Sequence, residues 1–237
     1  MLKFLSSVPA LLINNILAAG DLHIGIEEKL SKSGINVSMA AEHLATKLLS
    51  AYALSNPRML VLLGDIKDAI GYPDKQAYSS LQRFFYLTRS LQIKIAKGNH
   101  DGHLAEILHR LDYEIGVSRE VIIGNVAFLH GNALPSKRAV LCDYLIEAHG
   151  HLALDISGSL RKVFVVASIG KGMHRRYAVF NKKIKLVLVP PLNPLILGNA
   201  LSEDTRKHIP AFRSELFDFY SAKIYADKEL GSVSDFL

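Results

Sequence analysis

Five short, mostly apolar runs in this 237-residue chain each stop at a histidine, aspartate or asparagine. The runs are residues 16–19, 58–63, 93–96, 126–129 and 144–148. The groups that follow them are Gly20-Asp21-Leu22-His23, Gly64-Asp65, Gly98-Asn99-His100-Asp101, His130 and His149-Gly150-His151. Runs of this length, bounded by turn formers, read as buried strands. In open α/β sheets ligand sites gather beyond the carboxyl ends of the strands, so the five polar loops are expected to converge.

The intervening sequence supports that class. Residues 8–13 and 16–19 read as a hairpin around Asn14-Asn15. Residues 36–54 carry Met39, Leu44, Leu48, Leu49 and Tyr52 at helical spacing, and residues 74–90 carry Tyr78, Leu81, Phe85 and Tyr86. A short helix is expected over 102–110. After it the chain becomes β-rich, with strands expected at 119–123, 126–129, 144–148, 162–167, 175–180 and 185–189. Gly124-Asn125 and Gly170-Lys171-Gly172 are expected to form turns, the latter beside the basic cluster His174, Arg175 and Arg176. The expected fold is α/β: two packed, largely mixed β-sheets flanked by helices, in a single domain over residues 1–237. The proline-rich stretch 190–194 reads as a rigid loop. Residues 195–237 read as a C-terminal extension packed on the domain through Phe212, Phe217, Phe219 and Tyr220.

An apolar content of 49% allows a sizeable core. The lone cysteine, Cys142, excludes an intramolecular disulfide framework and a cysteine zinc site, which points to a reducing compartment and a cytoplasmic protein. The early apolar stretch 8–20 is interrupted by Asn14-Asn15 and ends in Asp21, too short to span a bilayer, and it lacks the pattern of a signal peptide. A net charge of +6 favours anionic partners through its field, single-stranded nucleic acid among them. Neither a Gly-x-x-x-x-Gly-Lys-Ser/Thr loop nor a Gly-x-Gly-x-x-Gly fingerprint is present, which argues against a P-loop NTPase or a dinucleotide enzyme.

Asp21 and His23, two apart on extended backbone, point the same way and can grip one cation. Asp65 follows a glycine that permits a sharp turn, and a carboxylate has two oxygens with which to bridge cations. Asn99 offers a carbonyl ligand and His100 a proton carrier, while Asp101 reads as the N-cap of the next helix. His130, His149 and His151 add three imidazoles at strand ends. Each residue alone has an ordinary structural reading; their joint order is what singles them out. The remaining histidines, His43, His103, His109, His174 and His208, read as surface or packing residues.

In that order the motifs resemble the calcineurin-like metallophosphoesterases, whose pattern is D-x-H, G-D-x-x-D/N, G-N-H-D/E, H and G-H-x-H, here spread over about 130 residues. Ala19 to Gly25, Leu129-His130-Gly131 and the late Asn193-Pro194 look like the predicted phosphoesterases that include the DNA-ligase-associated type. The resemblance implies an αββα four-layer sandwich holding two divalent transition metals, manganese first, with zinc, iron or nickel as alternatives. It implies Asp21, His23, Asp65 and His151 on one metal, and Asp65, Asn99, His130 and His149 on the other, about 3.5–4 Å away. The implied reaction is hydrolysis of a phosphoester, a phosphodiester or nucleic acid foremost, by metal-activated hydroxide with His100 as catalytic group. A phosphomonoesterase of small metabolites and a catalytically weak binding scaffold are the alternatives. Three positions depart from the pattern: Asp68 stands where histidine is frequent, Asn132 replaces a second histidine, and Ala148 replaces the glycine of the last motif. All lie behind the ligands, where they bear on metal preference and rate.

Overall fold

The computed structural model describes residues 2–5, 7–34, 40–226 and 228–237. Six strands form the first sheet in sequence order: β1 (Leu2–Leu5), β2 (Ala10–Ile13), β3 (Ile16–Ala19), β4 (Met59–Leu62), β5 (Ile93–Ala96) and β6 (Gly116–Ser118). β1 to β3 pair antiparallel, and β3 to β6 run parallel. The parallel strands are joined through helices: α1 (Ile26–Lys32) and α2 (Ala40–Ser55), then α3 (Lys75–Thr88), then α4 (Leu104–Arg110).

Arg119 separates β6 from β7 (Glu120–Ile123), where the chain passes to the second sheet. That sheet continues with β8 (Val126–Leu129) and β9 (Tyr144–Glu147). The hairpin β10 (Leu152–Ile156) and β11 (Ser159–Lys162) leaves it, and β12 (Phe164–Ala167) and β13 (Lys185–Leu188) return to it. The two-residue strand β14 (Asn199–Ala200) pairs with β10, and β15 (Lys223–Tyr225) and β16 (Glu229–Ser232) complete the sheet in the order β16-β15-β12-β13-β9-β8-β7. Only the β8-β9-β13 segment is parallel.

Side chains alternate between layers with the two-residue period of a strand. Leu17, Ala19, Leu60, Leu62 and Ile95 face Leu44, Leu48, Leu81, Phe84 and Phe85 of α2 and α3. Ile16, Ala18, Val61 and Ala96 face the other way, onto Val126, Phe128, Ile146, Phe164 and Val187 of the second sheet. Ala127, Leu129, Leu145, Val165, Leu186 and Leu188 then face an outer layer that holds Met173, Phe212, Phe217 and Phe219. Helix, sheet, sheet and helix thus make the expected four layers.

Several elements differ from expectation. The 36–54 helix is described from Ala40; residues 36–39, Met39 among them, lie outside the described residues. On α3, Phe84 is buried and Tyr86 is 48% exposed, where it lies under the Arg89 guanidinium. Residues 175–180 form no strand, and Gly170-Lys171-Gly172 is no hairpin turn: α5 (Lys171–Arg176) starts there. The cause is tertiary, because Gly170 N donates to Leu216 O at 2.8 Å and Gly172 N to Glu215 O at 2.8 Å. Docking these glycines on the C-terminal backbone overrides the β propensity of Tyr177, Val179 and Phe180. Beyond α6 (Glu203–His208), Phe212 of α7 (Pro210–Arg213) packs in the outer layer, and β15 pairs with β12 as a strand of the second sheet itself.

Candidate metal centre

The parallel strands β3, β4, β5, β8 and β9 carry the five polar loops at their carboxyl ends. Pairing continues beyond the first sheet, with Asp21 N bonding Gly64 O at 3.2 Å, His23 N bonding Asp65 O at 2.9 Å and Ile24 N bonding Ile66 O at 2.9 Å. Ala148 N bonds His130 O at 2.9 Å in the second sheet. Glycine lets the loops close on one another. A Cβ on Gly64, at φ 73°, would stand 2.6 Å from Gly98 N and 2.8 Å from the His130 Cβ, and a Cβ on Gly98 would overlap the Asp65 carboxylate.

Five of the predicted ligands occupy left-handed backbone: Asp21 (φ 54°), His23 (42°), Asp65 (47°), His149 (58°) and His151 (46°). Such conformations cost about 1–3 kcal/mol each and persist where the surroundings enforce them. Their concentration here marks these loops as shaped for a function.

The structure brings all seven predicted ligands and His100 to one place. Asp65 Oδ2 is approached by His130 Nε2 at 3.2 Å, His23 Nε2 at 3.6 Å and His100 Nε2 at 4.0 Å. Asp21 Oδ1 lies 3.3 Å from His151 Nε2 and 3.7 Å from His130 Nδ1. His130 Nε2 is also 3.2 Å from Asn99 Oδ1 and 3.0 Å from His149 Nδ1. Donor atoms of Asp21, His23 and His151 lie within 4.8 Å of one another, and so do those of Asp65, His130 and His149. Asp65 faces the cage through Oδ2 alone, because Oδ1 accepts a hydrogen bond from His100 N at 2.8 Å.

The groups behind the rings fix which nitrogen is available. His130 Nδ1 donates to Leu63 O at 2.8 Å, which turns its Nε2 inward. His23 Nδ1 lies 3.2 Å from Asp68 Oδ1, which directs its Nε2 inward too. Asp68 in turn pairs with the Lys29 ammonium. Burial pushes the Asp65 carboxyl up, but hydrogen bonding and charge from His130 and the His100 peptide outweigh it and hold its pKa at about 2. Burial lowers the His149 pKa to about 4, assisted by the neighbouring His130 charge.

A cation fits this donor set. Asp21 Oδ1 and Oδ2, His23 Nε2 and His151 Nε2 are buried with no hydrogen-bond partner. Buried polar atoms left in that state are costly. Imidazole nitrogens together with carboxylate oxygens suit a divalent transition metal.

Other residues of the site escaped sequence reasoning or were misread. Asp101 is not the N-cap of α4, whose N-cap is His103; its buried carboxylate accepts Ile66 N at 2.8 Å and Gly98 N at 2.9 Å, which ties two of the loops together. Asn193 is buried, and its Nδ2 donates to Leu22 O at 2.6 Å, bracing the Asp21-Leu22-His23 loop. Lys162 Nζ donates to Pro191 O at 2.9 Å and Asn193 O at 2.6 Å. Lys67 is fully buried beside Asp65. A lysine in a polar loop carries no sequence signal of burial.

The sequence matches the calcineurin-like phosphoesterase family over residues 15–216, and the chain belongs to that family. It is accordingly a metallophosphoesterase, a hydrolase of phosphoester bonds whose His and Asp clusters are able to bind divalent metal. Among solved structures, the fold is similar to nuclease MPE of Pseudomonas putida, at 17% identity and a TM-score of 0.60, over 94% of this chain and 91% of that one. The YfcE phosphoesterase of E. coli matches at 15% identity and a TM-score of 0.38, over 75% of this chain and 79% of that one. No curated protein matches the chain in sequence. Among the described residues no helix is long and apolar enough to cross a membrane.

Proposed function

We propose that the chain is a two-metal phosphodiesterase acting on single-stranded nucleic acid, carried on one domain over residues 1–237 and working in the reducing cytoplasm. Asp21, His23, Asp65 and His151 hold one metal, and Asp65, Asn99, His130 and His149 hold the other, with manganese first and zinc, iron or nickel as alternatives. The observation that carries this reading is the set of buried, unpartnered atoms on Asp21, His23 and His151, next to a second donor group that meets it at Asp65 Oδ2.

Two divalent cations in these positions supply Lewis acidity, making water a usable nucleophile near neutrality and offsetting phosphoryl charge. The protein's part is positioning and proton transfer. Asp65, pinned by the His100 peptide, keeps the two groups in register. Hydrolysis adds water across a P–O bond, so the departing oxygen must gain a proton as that bond breaks. His100, half-buried with Nε2 4.0 Å from Asp65 Oδ2, gives that proton and regains one from solvent.

Two exposed apolar side chains that follow or flank loops of the site in sequence support a diester. Tyr72 is 45% exposed and stacked on His103, three residues beyond His100, which suits base stacking. Leu197 is 70% exposed beside Gly198, whose neighbour Asn199 bonds His151 O at 2.6 Å. The +6 charge and the fold shared with a nuclease agree with this substrate class.

The test is to strip metal, restore Mn, Zn, Ni or Mg, and compare bis-(p-nitrophenyl) phosphate, p-nitrophenyl phosphate and labelled single-stranded DNA. Mn-dependent cleavage of the diester and the DNA is expected, with Asp65→Ala losing about 10²–10³-fold, the scale of removing one transition-state stabiliser. Preference for the monoester would overturn the diester reading. Unchanged turnover in Asp65→Ala would overturn the bridging role.

A further inference from the structure

Lys67 is a lysine with none of its surface exposed. Its ammonium donates to the carbonyls of Ala69, Ile70 (3.2 Å) and Gly71 (2.8 Å) in its own loop, and across to His100 O at 2.6 Å. Burial of such a charge is tolerable only when its protons are all taken, and four carbonyl dipoles around three N–H groups meet that demand. Removing the side chain would leave those carbonyls without their partner.

The consequence falls on His100. Residues 65–68 hold it at three points: Asp65 Oδ1 accepts its peptide N–H at 2.8 Å, Lys67 Nζ donates to its peptide oxygen, and Asp68 O faces its ring Nδ1 at 2.5 Å. With Nδ1 bonded to a carbonyl, the proton on that nitrogen is committed. Nε2 is the atom left for chemistry, and it stands 4.0 Å from Asp65 Oδ2.

We propose that Lys67 is a positioning residue for His100, a built-in cation that sets the direction of the His100 Nε2 at the leaving oxygen without serving the metals. The inference rests on His100 being the proton donor. Loss of Lys67 leaves the other two attachments and the Asp101 tie to Ile66 N in place but frees the His100 peptide oxygen, so the residue can tilt between them. A displacement of about 1 Å at a catalytic group costs on the order of 100-fold.

The experiment uses the full chain loaded with manganese and two diesters of thymidine, one that releases p-nitrophenol and one that releases a second nucleoside. An alcohol leaving group needs the proton; nitrophenolate departs without it. His100→Ala and Lys67→Met are each expected to lose about 100-fold on the dinucleotide and under about 10-fold on the nitrophenyl ester. Elemental analysis should still find two metals per chain in both variants. Introducing Lys67→Met into His100→Ala should cost nothing further on either substrate, since both act through one proton. Lys67→Gln, which keeps an N–H donor, carries the same measurements should Lys67→Met not fold.

Equal losses on both substrates, loss of metal, or additivity with His100→Ala would each overturn the positioning role. A steep leaving-group response in His100→Ala with a flat one in the Lys67 variants overturns this inference alone. A flat response in His100→Ala overturns the proton-donor assignment and the inference with it.

Discussion

In the group formed by Asp21, His23 and His151, four buried atoms make no hydrogen bond, whereas Asp65 Oδ2, Asn99 Oδ1 and His149 Nδ1 each lie 3.0–3.2 Å from the one nitrogen His130 Nε2. The first arrangement is held by its scaffold. Asp21 and His23 sit on left-handed backbone, with Asn193 braced against Leu22 O and Asp68 behind the His23 ring. The second is a polar cluster gathered on one imidazole nitrogen. The buried Asp21 carboxylate makes no hydrogen bond and has only the imidazoles of His151 at 3.3 Å and His130 at 3.7 Å beside it, so the first group gains more from a cation than the second. The two metals should therefore bind in sequence, the first at Asp21, His23 and His151.

The most severe way to break this comparison is Asp21→Asn, which removes the charge and keeps the shape. Metal content, read by elemental analysis after dialysis, should fall from two to one or fewer per chain. Affinity at the tighter site should drop by at least ~10³-fold, about 4 kcal/mol. Retention of two metals at native affinity would mean that the unpartnered carboxylate is not the stronger attractor.

A milder change sharpens the same contrast. Asn99→Ala removes one neutral oxygen from the group gathered on His130 Nε2. It should weaken only the second binding step, by about 10–100-fold, leaving the first step of a calorimetric Mn titration in place. If both steps weaken together, the groups do not bind independently.

The ligands of both groups and the residues that support them differ in how far the sequence reveals them. Asp21, His23, Asp65, Asn99, His130, His149 and His151 were legible because each follows a short apolar run such as Ile16–Ala19, whose four residues are all buried. The supports were not. Asp101 reads as a helix cap, but its carboxylate is claimed by backbone N–H groups from another loop, a contact between residues 35 apart. Lys67 and Lys162 carry no sign of burial in the sequence, because composition cannot register carbonyls gathered from distant segments. The helix at Lys171–Arg176 was hidden for the same reason, since docking on residues 214–218 outweighs local propensity. Strand ends are encoded locally, whereas what braces them is encoded by the fold.

Lys162 gives the smallest effect and the most specific one. It is partly buried, and it holds Pro191 and Asn193 in place behind the Asp21 loop. Burial, with Lys47 nearby, lowers its pKa from the ordinary 10.5 to about 8, against a smaller upward pull from Asp21. Because the folded value is the lower one, the folded protein sheds this proton first as pH rises through 8, while the unfolded chain keeps it until about 10.5. Across that window the unfolded state binds more protons, so this group makes folding more favourable with rising pH. Between pH 7.5 and 9.5 the gain should be up to about 2 kcal/mol. Urea titrations of metal-free protein at both pH values, with Lys162→Met as the reference, isolate it. The native chain should gain relative to the variant, and an equal response in both would place the Lys162 ammonium in a far more hydrated setting. Should the gain also shrink when metal is restored, Asn193 and the Asp21 loop behave as one unit, and the bracing of the first donor group is measured directly.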